Sequence, residues 1–524
     1  MATINDKPPS SIGSKTKSSQ WTLEYTPLEE IPATVDRCRR GASAEVLLAL
    51  DARKKALRNL IDMFKKYTTE LQDAVYADLR KPSMEYLVAE ENMVVSDAWE
   101  AISHLDSWAS PKGVEKNLPA VADDCHVHPE PLGTVLIIGA WNYPVQLLWV
   151  AAVGAIAAGN TVVLKPSEVA PATAAVMTKM TAEYFAPSMI SVVNGGVKET
   201  TELLKEKFDH IFYTGNGRVG RIVMAAAAKH LTPVTLELGG KSPCVVDDNC
   251  DLKIAARRIV WGRITNAGQT CVAPDYLLVK PDSKAELIKH MKEALVSFLG
   301  EDPAASPDYT RIVSDVHFNR LVQLMDVTKN GGTIVCGGQS DAATRYIAPT
   351  IIDNVRLDSE IMQDEIFGPL FPLVEYHTVR EAIDFIRKRD KPLALYIFSK
   401  NGKFADSIIQ HTSSGAVLVN DTLMHAAVPG LPFGGVGESG MGAYHGKLSF
   451  DVFTHKKAVM KRKQMLEGLN DIRYPPYSAK KLKQINMLSL KTGVSRPWLK
   501  WVLLLAFLII GGVAVFLGIW FRHH

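Results

Sequence analysis

Cysteine is scarce: six in 524 residues (Cys38, Cys125, Cys244, Cys250, Cys271 and Cys336), with no C-x-x-C pair among them. So few, and so scattered, exclude a disulfide framework, and without a second soft-ligand pair they offer no zinc site. A reducing compartment fits this usage. An excess of one charge is also missing, since 59 Lys and Arg stand against 56 Asp and Glu, a net of +3. That balance leaves no electrostatic footprint for nucleic acid. Thirty-six glycines and 8% aromatics exclude collagen-like and low-complexity chains. Residues 1–20 lack the apolar run of a secretory signal and the arginines of a mitochondrial presequence, and read as a disordered leader.

The near-neutral mean hides a basic tail. From Lys456 to Lys500 twelve basic residues face only Glu467 and Asp471, a net of +10. Trp501 to Trp520 is then WVLLLAFLIIGGVAVFLGIW, uncharged throughout. About 20 helical residues cross a bilayer core, so this run predicts one C-terminal transmembrane helix, with the anchor over 498–521. Lys500 and Arg522 bracket the run, and Trp498, Trp501 and Trp520 stand where interfacial indoles are favoured. With four residues beyond it, the pattern is that of a tail anchor. The basic flank keeps the large body cytosolic by the positive-inside rule, and its lysines attract anionic lipid headgroups.

Ahead of the tail, residues 42–106 carry apolar residues at three- and four-residue spacing, the pattern of long helices. From Leu132 short apolar runs (LGTVLIIG, TVVLK, SVVNGG, HIFYTG) alternate with helical stretches. That alternation predicts a parallel sheet with right-handed crossovers, hence a doubly wound nucleotide-type domain. After Pro233 a second α/β pattern begins with VTLELGG and KSPCVVD, and runs through DYLLVK, TIVCGG, FPLVEY and ALYIFS to AVLVN. No internal repeat is present.

Gly215-Asn-Gly217-Arg-Val-Gly220 fits G-x-G-x-x-G after a strand and before a helix. Such glycines admit a pyrophosphate to a helix N-terminus, although a tight strand–helix turn explains the match equally well. The same fingerprint asks for an acidic ribose contact about 20 residues on, and Glu237 lies 17 after Gly220. Three strands precede this motif, however, whereas the fingerprint follows a fold's first strand. Cys271, in Gly268-Gln-Thr-Cys-Val, is a nucleophile candidate or an inert buried thiol. Glu237, between apolar positions, is a base with raised pKa or half of an ion pair. Asn142, in AWNYP, is an oxyanion donor or a turn former.

Taken in order, GAWNYP, LKPSE, YTGNGRVG, TLELGGKSP, GQTCVAPDY, EIFGP and LPFGGVGESGMGAYHGK resemble the aldehyde dehydrogenase superfamily, specifically its class 3, fatty aldehyde branch. The resemblance covers roughly Ala42 to Lys457. It implies a Rossmann-type cofactor domain, an α/β catalytic domain and a bridging β-hairpin. The corresponding boundaries are 21–110 and 133–236 for cofactor binding, 237–430 for catalysis, and 111–132 with 431–457 for bridging and oligomerisation. It implies Cys271 as nucleophile, Asn142 as oxyanion donor and Glu237 as the base that activates water, so the ribose role for Glu237 falls away. Lys165 and Glu168 would contact the adenosine ribose, Gly215 and Gly220 the pyrophosphate turn, Glu365 the nicotinamide ribose, and Phe367 the nicotinamide ring. A carboxylate at 168 repels a 2′-phosphate, which favours NAD, with NADP as the alternative. No metal is needed, and the expected assembly is a homodimer. Glu438 departs from the polar neutral residue that relatives often carry.

The implied substrates are long-chain, apolar aldehydes, either fatty (hexadecanal, hexadecenal) or apocarotenoid (β-apo-4′-carotenal), which are oxidised to acids. A CoA-acylating or acyl-reducing relative is the rival within enzymes, and a catalytically silent, membrane-tethered scaffold is the rival outside them. Segment 458–497 is a basic linker in which Leu482, Ile485 and Leu488 lie at helical spacing, as a helix gating the substrate entrance requires. Endoplasmic reticulum, outer mitochondrial membrane and lipid droplet all suit the anchor.

Overall fold

The computed structural model of the protein describes residues 21–117, 120, 121, 123–465 and 467–489. The leader and the apolar run 501–520 lie outside the described residues. Among the described residues no helix is long and apolar enough to cross a membrane. The chain forms two compact units. One takes the residues up to Ser110 together with Pro129–Lys457, and the other takes Pro111–His128 and the chain from Ala458 on.

The first unit is built on two sheets. Five parallel strands of the first sheet run, across the sheet, Val234–Glu237, His210–Thr214, Thr134–Ile138, Thr161–Lys165, Ile190–Val192, and Gly440–Met441 closes the edge antiparallel. The order reverses between Thr134–Ile138 and His210–Thr214. At such a switch point the connections diverge and leave a crevice outside the carboxyl ends of the strands. The three central strands are buried at every position, as a parallel sheet covered on both faces requires. One cover is helix Leu50–Leu79, which buries Leu57, Leu60, Phe64, Leu71 and Val75 on one stripe. Each such side chain contributes about 1.5–3 kcal/mol of apolar burial. Another is helix Gln146–Ala158, apolar on all sides and wholly buried, which stops at Gly159 (φ 97°). At Gly154 it runs so close to its neighbour that a Cβ would sit 2.9 Å from the Ser449 carbonyl oxygen.

The second sheet has seven strands in the order Thr333–Cys336, Thr350–Asp353, Leu370–Glu375, Tyr276–Val279, Pro243–Val246, Ala394–Phe398, Ala416–Val419, all parallel except the first. One strand departs from the sequence pattern. Val234–Glu237, which the pattern groups with the second half, is hydrogen-bonded into the first sheet in parallel register with Ile211–Thr214. The chain crosses to the second sheet only after Glu237, through Leu238 to Ser242. Glu237 therefore stands at the junction of the two sheets.

Lys112–Gly113 pairs antiparallel with Asp124–Pro131, and Thr454–Lys461 completes a three-stranded sheet. Arg462 holds Asp123 through Nε at 3.0 Å and Nη2 at 2.6 Å. The helix expected in the linker is present as Ala479–Ser489. Ser478 accepts the Lys481 N–H at its start, and Leu482 is exposed.

Candidate active site

Cys271 sits on the connection between helix Leu252–Ile264 and strand Tyr276–Val279. The chain reaches it through three successive left-handed residues, Asn266 (φ 54°), Ala267 (φ 51°) and Gly268 (φ 73°). A Cβ on Gly268 would lie 2.3 Å from the Gly368 carbonyl oxygen, so backbone passes directly over backbone there. The buried Gln269 amide pins this turn by donating to the carbonyls of Asn266 and Arg311 (both 3.0 Å) and accepting from the Val313 N–H (3.0 Å). The Asn266 N–H donates to Glu85 at 3.0 Å, where burial pushes the carboxyl up to about 7.

Asn142 follows strand Thr134–Ile138 at the switch point. Its side-chain amide donates to the Gln269 carbonyl at 3.1 Å, which puts the amide beside the Cys271 turn. Trp141 meets the Phe367 ring edge-on, with centroids 5.4 Å apart. Glu237 is 3% exposed, and among the described residues neither of its carboxyl oxygens has a hydrogen-bond partner. Burial pushes its pKa well above the ordinary range. The half-buried Cys271 thiol is pushed up by burial and, further, by the carboxylates of Glu365 and Glu237. The thiol and two carboxyl groups thus share one electrostatic neighbourhood.

Glu365 and Phe367 lie on the loop before strand Leu370–Glu375, and buried ions hold that loop. Lys241 Nζ donates to the carbonyls of Ile361 (2.6 Å) and Asp364 (2.9 Å) and pairs with Asp275 at 2.7 Å. Asp275 accepts the Ile366 N–H and pairs with Arg263 at 3.0 Å. The Glu365 carboxylate lies on Gly239, where a Cβ would come within 2.0 Å of it, and burial pushes its pKa up to about 8. Lys165, at the end of its strand, pairs with Glu168 at 2.7 Å. The Gly215 N–H donates to the Glu237 carbonyl at 3.0 Å. Helix Gly217–Ala228 then starts behind Asn216, whose side chain takes the Val219 N–H. The first N–H groups of a helix have no acceptor within it, so Gly217 and Arg218 present theirs at the carboxyl end of the sheet. A cleft of about 760 Å³ lies there, lined by Gly217, Gly239, Lys241 and Glu365 among others. Glu168 lines a second cleft, of about 660 Å³.

The structure therefore brings Glu237 and Glu365 to Cys271, the Asn142 amide to the Cys271 turn and Phe367 to Trp141, the neighbour of Asn142. Lys165 ends its strand with Glu168 paired to it, Gly215 follows Thr214, and Gly220 lies in the first turn of helix Gly217–Ala228. Among the described residues no group of three His, Cys, Asp or Glu side chains could hold a metal ion. Sequence reasoning missed Gln269, Lys241, Asp275 and Arg263, which hold the reactive segments in place. It also missed the buried pair Lys81 and Glu90. Lys241 and Gln269 lie inside motifs already singled out, so proximity was the available signal.

Comparisons with known proteins identify the family. The family model described as "Aldehyde dehydrogenase family" matches residues 10–459. Aldehyde dehydrogenase family 3 member A2 of Macaca fascicularis is 48% identical over 86% of this chain and 92% of its own length. The aldehyde dehydrogenase called dimeric, NADP-preferring, of Mus musculus is 49% identical over 86% of this chain and 99% of its own. The substrate-bound structure of Staphylococcus aureus AldH superposes with a TM-score of 0.84 at 42% identity, covering 88% and 99% of the two chains. The chain belongs to the aldehyde dehydrogenase family, in its class 3 branch.

Proposed function

We propose that the protein oxidises long-chain, apolar aldehydes to carboxylic acids, with NAD or NADP as hydride acceptor, while anchored to a membrane by residues 498–521. The observation that carries the reading is Glu237. A buried carboxyl with no hydrogen-bond partner costs stability, and a base whose pKa is raised toward the working pH is what a proton-transfer step needs. Here that base stands beside a thiol.

In this reading the Cys271 thiol releases its proton to solvent, the sulfur bonds to the aldehyde carbon as the C=O π pair moves to oxygen, and that oxygen, now negative, is held by the Asn142 amide and the Cys271 N–H. A nicotinamide dinucleotide held at Glu365 and Phe367 would supply the acceptor for the hydride that leaves the Cys271-bound carbon, which makes that carbon a thioester. Glu237 then takes a proton from water as the water oxygen adds to the thioester carbon; the carbon–sulfur bond breaks and the acid leaves. A water-activating base favours hydrolysis over transfer to CoA. The residues present fit the dinucleotide. The free N–H groups at Gly217 and Arg218 suit a pyrophosphate behind Gly215 and Gly220, Lys165 and Glu168 the adenosine ribose, Glu365 the second ribose, and Phe367 the nicotinamide. Glu168 favours NAD electrostatically, whereas the Mus musculus relative is named for a preference for NADP; that name also supports a homodimer.

An anchor suits a substrate that partitions into lipid, because each buried CH₂ is worth about 0.8 kcal/mol. Helix Ala479–Ser489 is assigned to chain-length control on the strength of its apolar positions at helical spacing. The test is cofactor reduction by the full-length protein with octanal, hexadecanal, 4-hydroxybenzaldehyde and β-apo-4′-carotenal. A Cys271→Ala variant and a deletion of residues 478–490 run alongside. The expected result is preference for hexadecanal or the apocarotenal over octanal, no turnover in Cys271→Ala, and a deletion that weakens long-chain far more than short-chain turnover. Turnover that survives in Cys271→Ala would refute the chemistry, and equal rates for octanal and hexadecanal would refute the substrate class.

A further inference from the structure

Between helices Leu50–Leu79 and Asn92–Ala109 the chain makes a π-helical turn, Leu87–Glu91, that carries Glu90 inward. Wide turns of this kind are frequent at functional sites. Glu90 is fully buried and pairs with the fully buried Lys81 at 2.5 Å. Neither charge is spent on the other alone. Lys81 Nζ also donates to the main-chain carbonyl of Asn142 at 2.9 Å and lies over the Tyr143 ring, 4.1 Å from its centroid. The second Glu90 oxygen accepts the N–H groups of Val145 (2.9 Å) and Gln146 (3.4 Å), at the start of helix Gln146–Ala158. One ion pair therefore grips the Asn142 turn at both ends. The Asn142 carbonyl accepts a second bond from Asn266 Nδ2 at 2.8 Å, and the same Nδ2 reaches the Gln269 carbonyl at 3.0 Å.

An isolated buried ion pair is weak evidence for stability, because desolvation offsets the attraction. A buried pair whose other hydrogen bonds all go to one five-residue stretch, Asn142 to Gln146, is better explained by what that stretch carries. We infer that Lys81 is a positioning residue for oxyanion stabilisation: held by Glu90, its ammonium fixes the Asn142 peptide so that the side-chain amide points at the developing oxyanion above Cys271. The inference rests on the role proposed for Asn142. An oxyanion donor acts through its preorganisation. Once the ammonium is gone, the Asn142 peptide keeps only the Asn266 contact and turns.

The test is a double-mutant cycle in the full-length protein, read by kcat with hexadecanal and NAD and by the rate at which iodoacetamide alkylates Cys271 without cofactor. Lys81→Met with Glu90→Gln removes both charges together, so that no bare ion is left buried. This double variant should lower kcat by about 10²-fold, the scale of a 1 Å misplacement at a reacting centre. Alkylation should stay within about threefold, since the Gln269 amide holds the thiol turn through Asn266, Arg311 and Val313, without Lys81 or Glu90. In an Asn142→Ala background the same pair should change kcat by less than about threefold. Glu90→Gln alone, which leaves the Lys81 donation in place, should cost less than about fivefold and serves if the double variant does not fold. If Asn142→Ala leaves kcat unchanged, the oxyanion reading falls and the inference with it. If Asn142→Ala is impaired but the losses multiply in full, or if Glu90→Gln alone loses as much as the double variant, the positioning role alone is overturned.

Discussion

Replacing Gly268 by alanine tests whether the left-handed turn ahead of Cys271 sets the position of the sulfur. The new Cβ would lie 2.3 Å from the Gly368 carbonyl oxygen, a backbone atom that cannot rotate away. Restoring ordinary contact at about 3.4 Å requires roughly 1 Å of movement, and a shift of that size at a reacting atom costs about 10²-fold in rate. The positive φ of 73° adds about 1–2 kcal/mol for any L side chain, and the overlap about 1–3 more, so stability falls by about 2–5 kcal/mol in all. Gly300→Ala is a control for backbone strain without overlap. Gly300 also has a positive φ, 80°, but nothing lies within 4 Å of its Cβ position. It should lose about 1–3 kcal/mol of stability from strain alone and keep its kcat. Urea unfolding and hexadecanal turnover on both variants would separate strain from displacement. A Gly268→Ala protein with wild-type kcat would refute the reasoning.

Two further outcomes follow from the buried carboxyl groups. Glu237→Gln keeps the shape and removes the base, so kcat should fall by about 10²–10⁴-fold. Because burial raises the Glu237 pKa, wild-type activity should climb with pH as the carboxyl ionises, and a pH–rate profile of the variant that keeps this acid limb would contradict the assignment. Glu365 has a folded pKa of about 8 against an ordinary 4.5. Between those values the native chain holds a proton that the unfolded chain has released, so wild-type stability declines as pH rises from 4.5 through 8. Glu365→Gln removes that decline. Its melting temperature relative to wild type should rise between pH 5 and pH 9 in thermal melts, and a constant difference would show that the carboxyl is not held in its neutral form.

The parallel strands of the first unit were legible because burial on both faces leaves continuous apolar runs, as in Thr134–Ile138 and Thr161–Lys165. The helix Ala479–Ser489 was legible from the spacing of Leu482, Ile485 and Leu488. Asn142, Glu237 and Cys271 stood out because an amide, a carboxyl and a thiol among small and apolar neighbours are chemically conspicuous within a few residues. The strand pattern grouped Val234–Glu237 with the second half, against the boundary at 236 that the resemblance implied, because an apolar strand looks the same in either sheet and only pairing with His210–Thr214 decides between them. Lys81, Glu85 and Glu90 did not stand out, since charges at helical spacing are ordinarily wet. Their burial depends on the π-helical turn and on groups 55 or more residues away along the chain, at Val145 and Asn266. Composition and local period alone thus determined the α/β class, the basic tail and the reactive residue types, because each is a property of a short window. Tertiary structure alone decided which charges are dry, which backbone groups they hold, and that the carboxyl of Glu237 has no partner among the described residues. Desolvation and hydrogen-bond satisfaction are set by what the rest of the chain brings to a point in space.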